Sequence, residues 1–460
     1  MLDGLHKIHF IGIGGAGMSA LAFILLDEGY EVSGSDIKDS PMAEKLRAHG
    51  AKVYIGHRAE NVDCVDAIVV SSAIHEDNPE VIAAHEAGIK RLHRSDVNAA
   101  LLNRVKGIAV AGAHGKTTTT SMIGLILTEG HLDPTIIIGG EVDYLGGNSR
   151  LGKGEYLVSE ADESDGSFLK LRPHIAVVTN VEDDHLDHYG TMNNIRKAFK
   201  EFIENVDKET GYAVLCFDNE NIRGIAKNVD RRIVSYAIDH DADYMAKNIV
   251  TDGAHTTFDV MHNGVKITSV ELGVPGKHNV LNALASVVTG ILCGLEPSVS
   301  AAGLADFHGA KRRFETKARV DGVWIVDDYA HHPTEIQATL RAAHQTNPKR
   351  LICVFQPHRY SRTKLLKDEF GIAFQEADML IVTDIYSAGE APIEGISGET
   401  IFDAVVEATG QNVTYIEKRE DIAPYLATIA EEGDLIMTMG AGDIYKTGVE
   451  LADMLKNREK

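Results

Sequence analysis

The sequence predicts an α/β protein of three domains, each built on a mostly parallel sheet, and three observations carry that expectation. Its 460 residues amount to about three domains at roughly 150 residues each. Short β-branched runs alternate with helical stretches along the whole chain, as strand–helix–strand units require. Glycine-rich turns stand where strands pass into helices, at Gly12–Gly17, Gly112–Gly115 and Gly440–Asp443.

Composition narrows the class of ligand and compartment. The chain is 44% hydrophobic and 25% charged, with 45 Lys and Arg against 68 Asp and Glu and a net charge of −23. That field repels a polyanion, so no nucleic-acid partner is expected. Cys64, Cys216, Cys293 and Cys353 show no CxxC and no metal spacing, and read as reduced core residues. No apolar run approaches the ~18–20 residues of a membrane span. Asp3 and the absence of a basic leader argue against a signal peptide, so a cytoplasmic location without membrane insertion is expected.

The first domain is expected over residues 1–105. A strand over Lys7–Ile13 leads through the glycine turn into a helix at about Met18–Glu28, with further strands at Glu31–Ser35 and Ala67–Ser71. Gly12, Gly14 and Gly17 meet the GxGxxG spacing, with an extra Gly15, and Asp36 follows the next strand. This is a Rossmann-like fingerprint, in which a pyrophosphate rests on a helix N-terminus. NAD, FAD and a UDP-sugar satisfy it equally, and a simple tight turn is the bland alternative.

The second domain, over 106–314, opens on the strand Gly107–Gly112 and the loop Gly112-Ala113-His114-Gly115-Lys116-Thr117-Thr118. Its glycines let successive N–H groups converge on phosphate oxygens at a helix N-terminus. Lys116 suits β/γ-phosphate charge, and the Thr117 hydroxyl suits Mg²⁺. Val110 stands where GxxxxGK[ST] has its first glycine, so the loop is a shortened P-loop on a P-loop ATPase-type parallel sheet.

Two acidic segments, Ser159–Asp165 and Asn180–His188, follow later strands and so share the carboxyl edge of that sheet. Their hard oxygens suit Mg²⁺ beside nucleotide phosphates, while solvated acidic loops are the alternative. His185, taken alone, is as readily a loop hydrogen-bonder as a ligand. Alternating strands around an Asn263-Gly264 turn between about 243 and 272 predict an antiparallel annex. An apolar helix over Val280–Cys293 follows, and a basic cluster Lys311-Arg312-Arg313 ends the block as a linker or a reach toward the nucleotide.

The third domain, over 315–460, repeats the alternation in VWIVDDY, LICVFQ, MLIVTDIY and DLIMTMG, and is expected to be Rossmann-like again. Asp327 to Glu335 and Gln356 to Arg362 each follow an apolar strand. Arg359 and Arg362 at i, i+3 make a workable carboxylate clamp, with His331, His332 and His358 alongside.

Taken in order, GIGGAGMSALA, SGSD, VSSAI, AHGKTTTT, EADESD, DDHLDHYG, GKHNVLNA, KRRFE, DDYAHHPTEI, FQPHRYSRT and GEAPI resemble the Mur ligases of peptidoglycan synthesis over essentially the whole chain. The resemblance implies an ATP-dependent amide synthesis using Mg²⁺. The lactyl carboxylate of UDP-N-acetylmuramate is phosphorylated to an acyl phosphate, which the amine of L-alanine attacks. It further implies that Gly112–Thr118 bind ATP, that Thr117 and Glu160 hold a shared Mg²⁺, and that His185 holds a second. Asn279 and Asn282 then contact the nucleotide, and Arg313 and Asp328 reach ATP. Gly14, Gly15, Ala16, Gly17, Met18 and Ser19, with Asp36 and Ser72, correspond to the UDP-sugar loop. Tyr329, His331, His358, Arg359 and Arg362 correspond to the amino-acid pocket.

One departure stands out. Members that add later residues carry a carbamylated lysine after the DHxD segment, whereas the aligned position here is Phe199, beside Lys200. Phe199 continues the apolar stripe Ile195, Phe199, Phe202 and reads as core. Three other readings compete: a recycling ligase that attaches a whole tripeptide, an NAD(P)-dependent dehydrogenase that leaves Gly112–Thr118 unexplained, and a non-catalytic nucleotide sensor that leaves the acceptor motif idle. The sequence does not bear on oligomeric state.

Overall fold

A computed structural model describes residues 2–305, 307 and 309–457. It contains three sheets in chain order. The first joins β1 (Lys7–Ile11), β2 (Glu31–Asp36), β3 (Lys52–Ile55), β4 (Ala67–Val70) and β5 (Lys90–His93) in the order β3-β2-β1-β4-β5, all parallel. That is the strand order of a mononucleotide-binding half, which leaves a crevice at the carboxyl ends of β1 and β4.

The second sheet carries β6 (Lys106–Ala111), β7 (Thr135–Val142), β8 (Gly147–Arg150), β9 (Tyr156–Glu160), β10 (Ile175–Val178), β11 (Tyr212–Cys216), β12 (Ile233–Ala237), β13 (Tyr244–Asp252), β14 (His255–His262) and β15 (Val265–Leu272). Its order is β15-β14-β13-β12-β11-β10-β6-β9-β7-β8, with β7, β9, β6, β10, β11 and β12 parallel. Parallel strands buried on both faces read as unbroken apolar runs, as IAVV of β10 does. Asn263 and Gly264 both adopt positive φ (49° and 79°), the type I′ geometry that folds β14 back on β15 as the expected annex.

The helix after β6, Lys116–Glu129, is buried from Thr118 to Leu127, so it packs on all sides. The apolar helix expected at Val280–Cys293 begins a turn earlier, at Lys277. Phe199 is 2% exposed and sits edge-on to Phe168, 5.2 Å between centroids, with Phe202 stacked on the same ring. Its core role follows.

The third sheet runs β16 (Glu315–Val320), β17 (Val323–Asp328), β18 (Arg350–Phe355), β19 (Met379–Val382), β20 (Val413–Tyr415) and β21 (Asp434–Met439) in the order β16-β17-β21-β18-β19-β20. Only β16 is antiparallel, joined to β17 by Asp321-Gly322, both at positive φ. Alternation splits its side chains between two cores. Trp324, Val326, Cys353, Phe355, Leu435 and Met437 face one helical layer, and Ile325, Ile352, Val354, Ile381 and Ile436 face the other.

Contacts divide the chain into two compact units, one of 1–248, 258–271 and 281–307, the other of 249–257, 272–280 and 308–460. One expectation fails here: Cys64 is exposed rather than packed in a core, because it lies at positive φ in the turn before β4. Among the described residues no helix is long and apolar enough to cross a membrane.

Candidate active site

The glycine turn after β1 is shaped by backbone hydrogen bonds. Gly12 adopts φ 80°, and the N–H groups of Gly12 and Ile13 both donate to Ser35 O. The Gly14 N–H donates to Asp36 Oδ2 at 2.9 Å, and a Cβ on Gly14 would stand 2.8 Å from that oxygen. Asp36 therefore sets the loop itself. Gly15 caps the helix Ala16–Asp27 in extended conformation, so that helix N-terminus faces out of the turn with Gly15, Ala16, Gly17 and Met18 lining a cavity. Ser19 is buried, and Asn148 Nδ2 donates to its hydroxyl and to Ala16 O. Ser72 lies apart from the turn, donating to Asp165 Oδ2 at 3.1 Å.

The second glycine loop is the more constrained. Gly112 has φ 141°, and a Cβ there would collide with Thr179 Oγ1 and the Asn180 backbone. Gly115 caps the following helix at φ 84°, where a Cβ would meet Asn282 Oδ1 at 2.7 Å. Both positions demand glycine. Asn180 Oδ1 accepts from His114 N, Thr179 Oγ1 donates to His114 O, and the His114 ring lies 3.2 Å from Glu182. Ala113 follows Gly112 with its carbonyl toward Lys116, Thr117 lies against Gly140, and Thr118 is buried in the first helical turn.

The Lys116 ammonium donates to Gly112 O (2.5 Å) and to Glu163 Oε1 (2.7 Å). Burial disfavours that charge, but the Glu163, Asp162 and Glu160 carboxylates hold the Lys116 pKa above its ordinary value. Glu163 is 3% exposed and its Oε2 has no hydrogen-bond partner. Burial pushes its carboxyl up, and the Lys116 charge offsets only part of that.

Register explains why the acids gather here. Val110 pairs with Glu160 across β6 and β9, and Ala111 pairs with Val178 across β6 and β10. The loops after all three strands thus leave one edge. Glu160 Oε1 accepts from Gly139 N at 2.7 Å. His185, at positive φ, brings Nε2 to 3.7 Å from Glu163 and 3.5 Å from Asp184. Asp162 and Asp165 turn the other way. Asp162 pairs with Arg94, and Asp165 takes Ser72 with His93 at 3.8 Å. Burial opposes the Asp162 charge, yet Arg94 and Ser164 hold its pKa down at about 2.

A cavity of about 370 Å³ separates the two glycine loops, lined by Gly15–Met18 and Arg94 on one side and by Lys116, Gly139, Glu160 and Asp162 on the other. Thr117 and Glu160 supply hard oxygens at this edge, and Glu163 Oε2 is an orphaned carboxylate oxygen beside them. Such a donor set fits Mg²⁺.

Asn282 reaches the loop from the helix Lys277–Leu292. Asn279, one turn earlier, is buried and donates to Pro275 O at 2.7 Å.

The second unit assembles the remaining predicted residues around β17 and β18. Asp328 is buried and accepts from Phe314 N (2.7 Å) and Ala330 N (2.8 Å). Burial raises its pKa to about 6, with Arg313 opposing. Asp328 thereby shapes the loop carrying Tyr329 and His331. Arg313 lies 3.6 Å from Glu335 and 5.2 Å over the Tyr329 ring. His331 takes Tyr329 O at 3.0 Å through Nδ1 and meets the His358 ring edge-on at 5.7 Å. Burial keeps both imidazoles neutral, lowering the His331 pKa to about 4 and that of His358 to about 3, with Arg362 reinforcing both shifts. Arg359, at φ 70°, donates its N–H to Tyr386 O and begins the helix Tyr360–Leu365 that carries Arg362.

Sequence reasoning missed Arg94, Asn98, Glu163 and Tyr386. Asn98 accepts from Ser159 and donates toward Glu160 O at 3.5 Å. Tyr386 stacks on His358 at 5.8 Å. Only Glu163 carried a signal, three residues beyond Glu160 in the acidic segment.

A Rossmann-like sheet, a shortened phosphate loop with a gathered set of carboxylates and a third α/β sheet whose loops carry Arg313, His331, His358, Arg359 and Arg362 are the parts of a nucleotide-dependent ligase. Three family models follow in order: the Mur ligase family catalytic domain over residues 7–106, the Mur ligase middle domain over 110–290 and the Mur ligase glutamate ligase domain over 312–442. The chain belongs to the Mur ligase family. It is 50% identical to a UDP-N-acetylmuramate–L-alanine ligase of Pelotomaculum thermopropionicum, covering 100% of both chains, and 47% identical to one of Geotalea daltonii, covering 99% of both. Among solved structures it is similar to the UDP-N-acetylmuramate–alanine ligase of Thermotoga maritima (TM-score 0.83, 30% identity, 98% and 99% of the two chains). A murein peptide ligase from Psychrobacter arcticus matches at TM-score 0.71 and 26% identity, covering 99% of each chain.

Proposed function

We propose that this chain joins L-alanine to the lactyl carboxylate of UDP-N-acetylmuramate at the expense of ATP, in the cytoplasm, as a step of peptidoglycan precursor synthesis. The observation that carries the reading is the cavity between the two glycine loops, where Lys116 and Glu160 face Gly15–Met18. A phosphoryl donor on one wall and a carboxylate presented from the other meet there. Domains are assigned as 1–105 for the nucleotide sugar, 106–314 for ATP and 315–460 for the amino acid.

ATP rests its phosphates on the N–H groups of Gly112–Thr118, and Lys116 leaves Glu163 to neutralise the transferring group. Thr117 and Glu160 would hold one Mg²⁺ and His185 a second, and the ions would supply positive charge that offsets the anionic groups brought together. Asn279, Asn282 and Arg313 hold the nucleotide, and Asp328 fixes the Tyr329–His331 loop. Phosphorylation of the carboxylate converts a poor leaving group into a good one. The amine of alanine, its carboxylate gripped by Arg359 and Arg362, then attacks the acyl carbon and phosphate departs. His331 and His358, kept neutral by burial, add no positive charge to compete with the two arginines for the alanine carboxylate.

A coupled phosphate-release assay tests this. Turnover is expected only with ATP, UDP-N-acetylmuramate and L-alanine together, and Lys116→Ala is expected to abolish it. Turnover without the sugar, or preference for the tripeptide over alanine, overturns the assignment.

A further inference from the structure

The first glycine loop has an electrostatic deficit. From Gly12 to Asp27 there is no Lys or Arg, and the Gly14 N–H already serves the Asp36 carboxylate. A helix N-terminus contributes about half an elementary charge, whereas a nucleotide diphosphate brings roughly two negative charges. A cation must come from another element, and one does. Arg94 lies with its guanidinium against Gly17, where a Cβ would stand 3.5 Å from Nη1 and 4.0 Å from Cζ. Among the described residues it is the one arginine lining the cavity, and Lys116, on the opposite wall, the one lysine.

Arg94 is also held in place. It opens the helix Arg94–Leu102, whose start is locked by a reciprocal cap: Asp96 Oδ2 accepts from His93 N at 2.8 Å, and the His93 ring accepts at the first turn. Its Nη2 donates to Asp162 Oδ2. Asp162 is fixed in turn by Ser164 N at 3.0 Å and through its own carbonyl by Phe168 N. One turn on, Asn98 ties the same helix to Ser159. With Nη2 anchored on Asp162, Nη1 stands beside Gly17. A planar fork fixed in this way is suited to phosphate oxygens.

Resting on the function proposed above, we propose that Arg94 is a substrate-positioning residue that grips the diphosphate of the nucleotide sugar over Gly17, with Asp162 orienting its guanidinium. Asp162 therefore serves the sugar side of the site and not the metal.

The test separates this from the parent reading by using UDP, whose binding needs no turnover. Arg94→Ala and Arg94→Gln are expected to weaken UDP binding, measured by titration calorimetry, about 10- to 100-fold. The KM for UDP-N-acetylmuramate is expected to rise by a similar factor, with the KM values for ATP and alanine within about twofold of wild type. Arg94→Lys should recover part of the loss, and Asp162→Asn should show a smaller loss in UDP binding. Unchanged UDP affinity in folded Arg94→Gln overturns the proposal, as a structural link alone predicts. Weakened binding of UDP-N-acetylmuramate with unaltered UDP affinity also overturns it, because the contact is then to the sugar carboxylate. Failure of the wild-type chain to turn over defeats the parent reading and leaves the UDP comparison intact.

Discussion

Replacing Glu163 by Gln isolates what holds the Lys116 ammonium in place. Gln preserves shape and removes the charge lying 2.7 Å from Nζ. The ammonium keeps the Gly112 and Ala113 carbonyls and can still donate to the Gln amide oxygen, but it loses the opposing charge. Breaking a buried ion pair by removing one partner costs roughly 3–5 kcal/mol. Asp162 and Glu160 still act on Lys116, which places Glu163→Gln at the lower end, about 3 kcal/mol. At about 2.1 cal/mol/K of unfolding entropy per residue, a unit this large loses about 5 °C in Tm.

Lys116→Met is expected to cost less, because burial already pushes the Glu163 carboxyl up and it takes a proton when its partner leaves. The double variant should then be more stable than Glu163→Gln alone. Differential scanning calorimetry of the four proteins measures the coupling. ATP with Mg²⁺ should raise the Tm of Glu163→Gln more than that of wild type, since phosphate charge replaces the lost carboxylate. If Glu163→Gln melts with wild type and ATP shifts both equally, the pair carries no buried electrostatic load and the reasoning fails.

Three further outcomes are expected. His331 and His358 have folded pKa values of about 4 and about 3 against an ordinary 6.5, so the unfolded chain binds more protons below pH 6.5; stability of the second unit should therefore be present above that pH and fall progressively toward pH 4. The single Trp, Trp324, lies in that unit and reports its unfolding by fluorescence. Arg359→Gly relieves a left-handed φ of 70° and should stabilise the chain by about 1 kcal/mol while raising the KM for alanine; a variant that is destabilised with unchanged KM removes both arguments. Phe199→Ala should cost about 3–5 kcal/mol in urea unfolding, and activity of the residual folded enzyme should be indifferent to bicarbonate, as no carbamylated side chain occupies that position.

What could be read in advance was local. The phosphate loop, the Asn263-Gly264 turn and the strands of β-branched residues each announce themselves within a few residues, because the backbone demand and the residue that meets it are adjacent. Short polar strands such as β5 (KRLH) and β8 (GNSR) have no such signature and exist because a neighbouring strand pairs with them. Glu163 and Arg94 were overlooked for the same physical reason at longer range. Their partners lie 47 and 68 residues away, and no periodicity encodes that distance. The acidic segment shows the limit most clearly: Glu160 and Asp165 are five residues apart along one acidic run, yet one accepts from Gly139 and the other takes Ser72.

The same partners explain how a chain of net charge −23 handles anionic substrates. Both of these cavity cations are paired with a carboxylate: Lys116 lies on Glu163, and Arg94 lies on Asp162. In the proposed reaction ATP therefore binds by exchange, with a phosphate displacing a carboxylate from Lys116, and not by simple neutralisation. Exchange leaves the displaced Glu163 and the neighbouring Glu160 beside new negative charge, which a proton on Glu163, whose pKa burial already raises, or an added cation would offset. Mg²⁺ held by Thr117 and Glu160, as proposed above, would supply such positive charge. In the proposed reaction a Mg²⁺ requirement would follow from these pre-paired cations, and Glu163→Gln, with one carboxylate fewer to offset, should need less Mg²⁺ for half-maximal ATP binding.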